Sequence, residues 1–255
     1  MMNHELNLYT SGEKTGELVV YLHGGGLGGR MWQPVMDRMT GFYNIAPDLP
    51  DHGKSRAIPF VLRDCAERIV DLIQHESPSG KAHLVGLSLG GAVALEVMNL
   101  APEVLNRVIL SGTSLKLNNW LIRVQALNVS VLRSLPTRHL VRLMQMQFGI
   151  PDKYLSLVEE DIAVFTPEAF GRMNAAYRDI RLPVNCQLET LVVVGEKETF
   201  AAKDMARKIS AGLPKGKGLI IPGVGHAWNL QEPDVFAAVA TDWLEGRPLD
   251  TSRPG

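Results

Sequence analysis

Short runs of Val, Ile and Leu alternate with longer segments of helical spacing, and no other feature of the chain limits its fold so strongly. The runs are Glu17–Gly24, Tyr43–Leu49, Ala82–Ser88, Arg107–Gly112, Glu189–Glu196 and Gly218–Gly223, each nearly continuous in apolar residues. A strand with water on one face alternates apolar and polar, so a continuous apolar strand implies cover on both faces. Between the runs, FVLRDCAERIVDLIQH from Phe60, GGAVALEVMNLAP from Gly90, AAKDMARKISAGLP from Ala201 and DVFAAVATDWLEG from Asp234 read as amphipathic helices, most of them closed by Gly or Pro. The order predicts βαβ units and an α/β fold with a mostly parallel central sheet flanked by helices.

The alternation fails between about Leu115 and Pro183. There the helix-like segments NNWLIRVQALNVSVLRSL, TRHLVRLMQMQFG, DKYLSLVEEDIAVF and PEAFGRMNAAYRDI follow one another, with Pro136, Pro151 and Pro167 at the joints. The expected organisation is a core of residues 1–114 and 184–255 with a helical cap inserted at 115–183. A chain of 255 residues, 45% hydrophobic, is long enough to bury one large core with such an insertion. Its net charge is −1, and neither sign forms a long block, which argues against nucleic acid as a partner. A small molecule is the expected ligand, and a monomer or weak homodimer the expected state. No basic-then-apolar leader opens the sequence and no apolar run reaches a membrane-spanning length, so no membrane partner and a cytoplasmic location are expected. Cys65 and Cys186 lie far apart and outside any Cys-x-x-Cys or Cys/His spacing, and read as plain thiols.

Chemistry concentrates at Gly86-Leu87-Ser88-Leu89-Gly90, a G-x-S-x-G pentapeptide where a strand-like run stops and a helix-like run starts. In that context it is a nucleophile elbow, whose glycines let strand and helix approach while the hydroxyl is pushed above the sheet. The helix beginning there offers the Leu89 N–H to an oxyanion. A serine hydroxyl needs a base near neutral pH, and His226 is the histidine that follows an apolar run and precedes a terminal helix, as the order Ser, acid, His requires. The other histidines read as structural, surface or packing residues, His23 among them. A phosphate loop at GGGLGG is excluded because no Gly-Lys-Ser/Thr follows at the spacing such a loop needs.

With these residues the chain resembles the α/β-hydrolase superfamily over nearly its whole length. HGGGLGGRMW (His23–Trp32) looks like the family's oxyanion loop after its third strand, and DLPDHGKS (Asp48–Ser55) like its D-x-P-G-x-G-x-S turn, with Asp51 where glycine is usual. GVGHAWNLQEPDVF (Gly223–Phe236) looks like the loop that carries the catalytic histidine. The resemblance implies oxyanion donors at Gly25 and Leu89, and a triad acid after LVVVG at the position of a Gly-x-x-Asp. Here Gly195-Glu196-Lys197-Glu198 offers Glu198, with Glu196 as competitor. It also implies a serine hydrolase acting on an ester, thioester or lactone. Carbon–carbon bond hydrolysis, hydroxynitrile cleavage, perhydrolysis and a non-catalytic ligand sensor stand as alternatives. Ser88 argues against the dehalogenase and epoxide-hydrolase branches, which the resemblance associates with aspartate. Neither metal nor organic cofactor is implied. Trp120, Leu143, Met144, Met146, Phe148 and Phe165 suggest an apolar, adaptable acyl pocket, although most of them are expected to be cap core.

Overall fold

A computed structural model describes residues 6–115 and 136–249. Their strands form one sheet: β1 (Leu8–Ser11), β2 (Glu17–Leu22), β3 (Phe42–Pro47), β4 (Ala82–Leu87), β5 (Leu105–Ser111), β6 (Glu189–Gly195) and β7 (Gly216–Ile221), in the order β1-β3-β2-β4-β5-β6-β7. All neighbours are parallel except β1, which runs antiparallel to β3. The expected strands are present; β1 is an addition. Its four residues, LYTS, are mostly half-buried at the edge, too short and too polar to stand out as a run.

Side-chain alternation along each strand supplies two cores. Leu18, Val20 and Leu22 face one, with Leu84, Val108, Leu110, Val192 and Val194. Val19 and Tyr21 face the other, with Val85, Ile109, Leu191 and Val193. The first is covered by α2 (Leu62–Glu76), α3 (Leu89–Leu100) and α7 (Phe200–Gly212). The second is covered by α1 (Gln33–Met36), α8 (Trp228–Gln231) and α9 (Pro233–Leu244). Two-sided cover therefore holds for the central strands. It fails at β7, an edge strand whose Ile220 is 53% exposed.

Between β5 and β6 the expected helices appear as α4 (Thr137–Phe148), α5 (Leu155–Val164) and α6 (Pro167–Ala176). Thr166 starts α6 by accepting from the Ala169 N–H, with Pro167 in the first turn, where a missing N–H costs nothing. The helix expected at 118–135 lies outside the described residues, with Trp120, Arg123 and Arg133; so does His4.

The strand order locates the crevice where a ligand can sit. From β2 the chain steps outward to β3, then crosses back over β2 to β4, so the order reverses between β2 and β4. Loops leaving those two strands diverge and open a cleft at the carboxyl end of the sheet. The chain following β2 is His23–Gly26 and that following β4 is Ser88. No described helix is long and apolar enough to cross a membrane.

Candidate active site

Ser88 joins β4 to α3 with φ 54° and ψ −111°, a backbone conformation that non-glycine residues rarely adopt. Its N–H donates to Ser111 O (2.8 Å), which fixes the strained turn to β5. The flanking glycines have a steric cause. A Cβ on Gly86 would lie 2.5 Å from Gly90 O, and one on Gly90 would overlap the Leu22 carbonyl. Strand and helix thus cross at a separation that excludes any larger residue. As the first residue of α3, Leu89 has no acceptor one turn back for its N–H, so a donor is available beside the serine.

Gly24–Gly26 pass directly over this elbow. Measured from an ideal Cβ, Gly24 lies 3.7 Å from Ser88 Cβ and Gly25 3.9 Å from Leu89 Cβ. The loop follows the second strand of this chain, not a third. His23 holds it: Nε2 accepts from the Leu49 N–H (2.8 Å), so the proton sits on Nδ1, which donates to Gly24 O (2.8 Å). Burial lowers the His23 pKa to about 4, which keeps the ring neutral in this role.

His226 Nδ1 and Glu198 Oε2 are 2.8 Å apart. The second carboxylate oxygen, Oε1, accepts from the Gly195 N–H at 3.1 Å, and the side chain is 8% exposed. The structure thus brings Glu198 to the imidazole. Glu196 turns outward, its Oε2 accepting from the Gly223 N–H (2.8 Å). The chain after β5, which has no carboxylate to give, contributes space instead. A Cβ on Gly112 would come within 2.5 Å of His226 Cε1, so the ring lies against bare backbone. Phe148 flanks the ring at 5.3 Å between centroids. Gln231 pins the loop by accepting from the Gly225 N–H and donating to Phe148 O, both at 2.8 Å.

Ser88, Gly25, Glu198 and His226 line one cavity of about 1160 Å³. Leu143, Met144, Met146, Phe148 and Phe165 line it too, and Met146 is 73% exposed, so these residues form cavity wall more than a packed interior. Arg30 pairs with Glu160 and Trp32 is fully buried, and neither lines the cavity. Among the other histidines, His52 and His83 are buried and His75 and His139 exposed. Among the described residues, no three His, Cys, Asp or Glu side chains gather as a metal ion would require.

Three features carried no sequence signal. Tyr177 borders the cavity with its phenol pushed up to about 12 by burial, Ser88 lying close enough to its hydroxyl to lower that value in part. Asn174 lines the same wall. Arg172 on α6 forms a bidentate pair with Asp51 (Nε–Oδ2 and Nη2–Oδ1, both 2.7 Å). Asp51 has φ 67°, which accounts for the glycine usual there, and its carboxylate also accepts from the Phe60 N–H. Burial raises the Asp51 pKa, but Arg172 and the Phe60 N–H outweigh that and hold it below the ordinary value.

A model of the alpha/beta hydrolase family matches residues 19–239. Among curated relatives, the 2-hydroxy-6-oxo-6-phenylhexa-2,4-dienoate hydrolase of Burkholderia cepacia is 25% identical over 282 residues, covering 96% of this chain and 92% of the relative. A pimeloyl-acyl-carrier-protein methyl ester esterase of Neisseria meningitidis is 28% identical over 244 residues, covering 89% and 93%. Among solved structures, an esterase from Exiguobacterium antarcticum superposes with a TM-score of 0.79 over 94% of this chain and 95% of that one, at 18% identity.

Proposed function

This chain belongs to the alpha/beta hydrolase family, and from that premise we propose that it cleaves a carboxylic ester, thioester or lactone of a small, largely apolar substrate through an acyl-enzyme on Ser88. The observation that carries this reading is the His226–Glu198 bond (2.8 Å) in the same cavity as a serine at positive φ. With Nδ1–H donated to the carboxylate, Nε2 is left as the base. His226 takes the Ser88 proton as the hydroxyl oxygen attacks the carbonyl carbon, and Glu198 stabilises the imidazolium. The oxyanion accepts from the Gly25 and Leu89 N–H groups, each such donor contributing about 2.7–4 kcal/mol to the transition state. His226 then protonates the departing alcohol or thiol, and water releases the acyl group by the same steps. The described helices of the insertion, α4 to α6, act as a cap over the acyl chain. The similarity to an esterase supports ester cleavage.

A second reading rests on the other relative. The compound in its name has no ester, thioester or lactone, so its hydrolysis must break a carbon–carbon bond, and the same serine, base and oxyanion donors serve that reaction. Turnover of p-nitrophenyl acetate and butyrate, beside Ser88→Ala and with mass spectrometry after a fluorophosphonate probe, separates the readings. Ester turnover abolished by the substitution, with one adduct on Ser88, is the expected result. An adduct without ester turnover favours carbon–carbon cleavage. No adduct and no turnover sink both and favour a ligand sensor.

A further inference from the structure

Phe170, Met173, Asn174 and Tyr177 recur at helical spacing along α6 and the residue after it, and all four border the cavity. Three of them suit an apolar wall. Asn174 does not. It is 3% exposed, and its Nδ2 has no hydrogen-bond partner among the described residues. Native proteins pair nearly all buried polar groups, because an unpaired amide donor has given up its hydration for nothing. Asn174 borders the cavity where a substrate would sit, and a substrate oxygen that displaced the cover over this donor would supply the bond it lacks.

Its neighbours on the helix locate it. The Met173 sulfur packs against Gly25, so closely that a Cβ there would overlap it, and Gly25 is where the oxyanion would form. Tyr177, three residues on from Asn174, borders the same cavity as Ser88. Asn174 is therefore within one helical turn of Met173 and Tyr177, in the wall of the cavity that also holds Ser88 and Gly25. Its amide by itself is a poor match for a buried carboxylate, which would need a cation to offset its desolvation. The described cation at the cavity, Lys197, is exposed and follows and precedes glutamates in sequence.

We propose that Asn174 is a specificity-determining residue whose side-chain amide donates to an uncharged oxygen on the acyl chain, so that the enzyme prefers oxo- or hydroxy-substituted acyl groups over plain alkyl ones. The inference rests on the hydrolase reading above.

The test compares kcat/KM for the p-nitrophenyl esters of acetoacetate and butyrate in the wild type, Asn174→Leu and Asn174→Asp. The ratio of the two esters, taken relative to wild type, cancels their intrinsic reactivities. Loss of the donor should lower that ratio by at least about tenfold in Asn174→Leu. Asn174→Asp, of the same shape but lacking the donor at neutral pH, should lower it as well. An unchanged ratio, or an equal fall for both esters, overturns the proposal, since a packing role would act on both alike. Calorimetric binding of ethyl acetoacetate to Ser88→Ala, with and without Asn174→Leu, keeps the test independent of turnover. Affinity at least about tenfold weaker with Asn174→Leu supports the inference even if no ester is hydrolysed. Equal affinity, or no binding to either protein, sinks it.

Discussion

The cavity has one wall held by backbone and one held by side chains. On the sheet side, Ser88 N–H is bonded to Ser111 O, the Leu49 N–H fixes His23, the Gly195 N–H fixes Glu198 and the Gly225 N–H fixes Gln231. On the opposite side, α5 and α6 reach the sheet through Arg172–Asp51, Glu160–Arg30 and the Asp161 carboxylate on the Gly28 N–H. Backbone bonds at strand ends depend on the whole sheet, whereas each side-chain tie depends on one or two residues. The difference teaches that the groups proposed for chemistry are fixed by the fold, and that the wall proposed for specificity can change without it.

The largest effect should come from the carboxylate on the sheet side. Glu198→Gln should lower kcat by about a thousandfold or more, because an amide cannot stabilise imidazolium and disturbs the tautomer. Glu196→Gln, on a carboxylate that turns outward, should stay within about twofold. Steady-state kinetics on the p-nitrophenyl esters decides it, and equal losses in the two variants would break the contrast. Gly86→Ala should follow, destabilising the fold by about 3 kcal/mol in urea unfolding, since the added methyl meets the Gly90 carbonyl and backbone cannot give way there. A cost below about 1 kcal/mol would mean that the elbow has room to relax.

Arg172→Ala tests the other wall. It strands the Asp51 carboxylate, 4% exposed, but the guanidinium is 40% exposed and partly screened already, so about 2 kcal/mol is expected. In Asp51→Gly the loss of the pair is offset by relief at φ 67°. The two changes combined should therefore cost much less than the sum of the singles, by denaturant unfolding. Strict additivity would show that the pair does not tie the wall to the sheet.

The same contrast explains what could be read in advance. The apolar runs, the elbow, and the order of Ser88, Glu198 and His226 were legible because backbone requirements leave residue types that recur in fixed order. Glycine at 86 and 90 is one such requirement, enforced by carbonyl contacts. Asp51 stood out as a departure, but its partner Arg172 lies 121 residues away in sequence and neither carries a local pattern. Asn174 and Tyr177 sit at ordinary helical spacing, and nothing in that spacing tells a cavity-facing amide from a solvated one. β1 escaped notice because an edge strand needs only one apolar face and four residues.

Asp161 gives the smallest effect and the sharpest distinction between the ties. Burial raises its pKa to about 6, with Asp48 adding to the rise and the Gly28 N–H opposing it. A carboxyl whose folded pKa is raised stabilises the protein fully below its ordinary value of 3.8, and that contribution fades as pH climbs through about 6. Asp51 runs the other way: its depressed pKa gives stability above the ordinary value that is lost as pH falls. Acid therefore relieves the cost of burying one carboxylate of the helical wall while weakening the ion pair of the other. Asp161→Asn keeps an acceptor for Gly28 and removes the charge, so it should unfold much like the wild type at pH 4. It should be more stable by about 1–2 kcal/mol at pH 7.5. A difference that stays flat across that window would mean the carboxylate is better solvated than its burial implies, and the ties would then differ in strength but not in their response to pH.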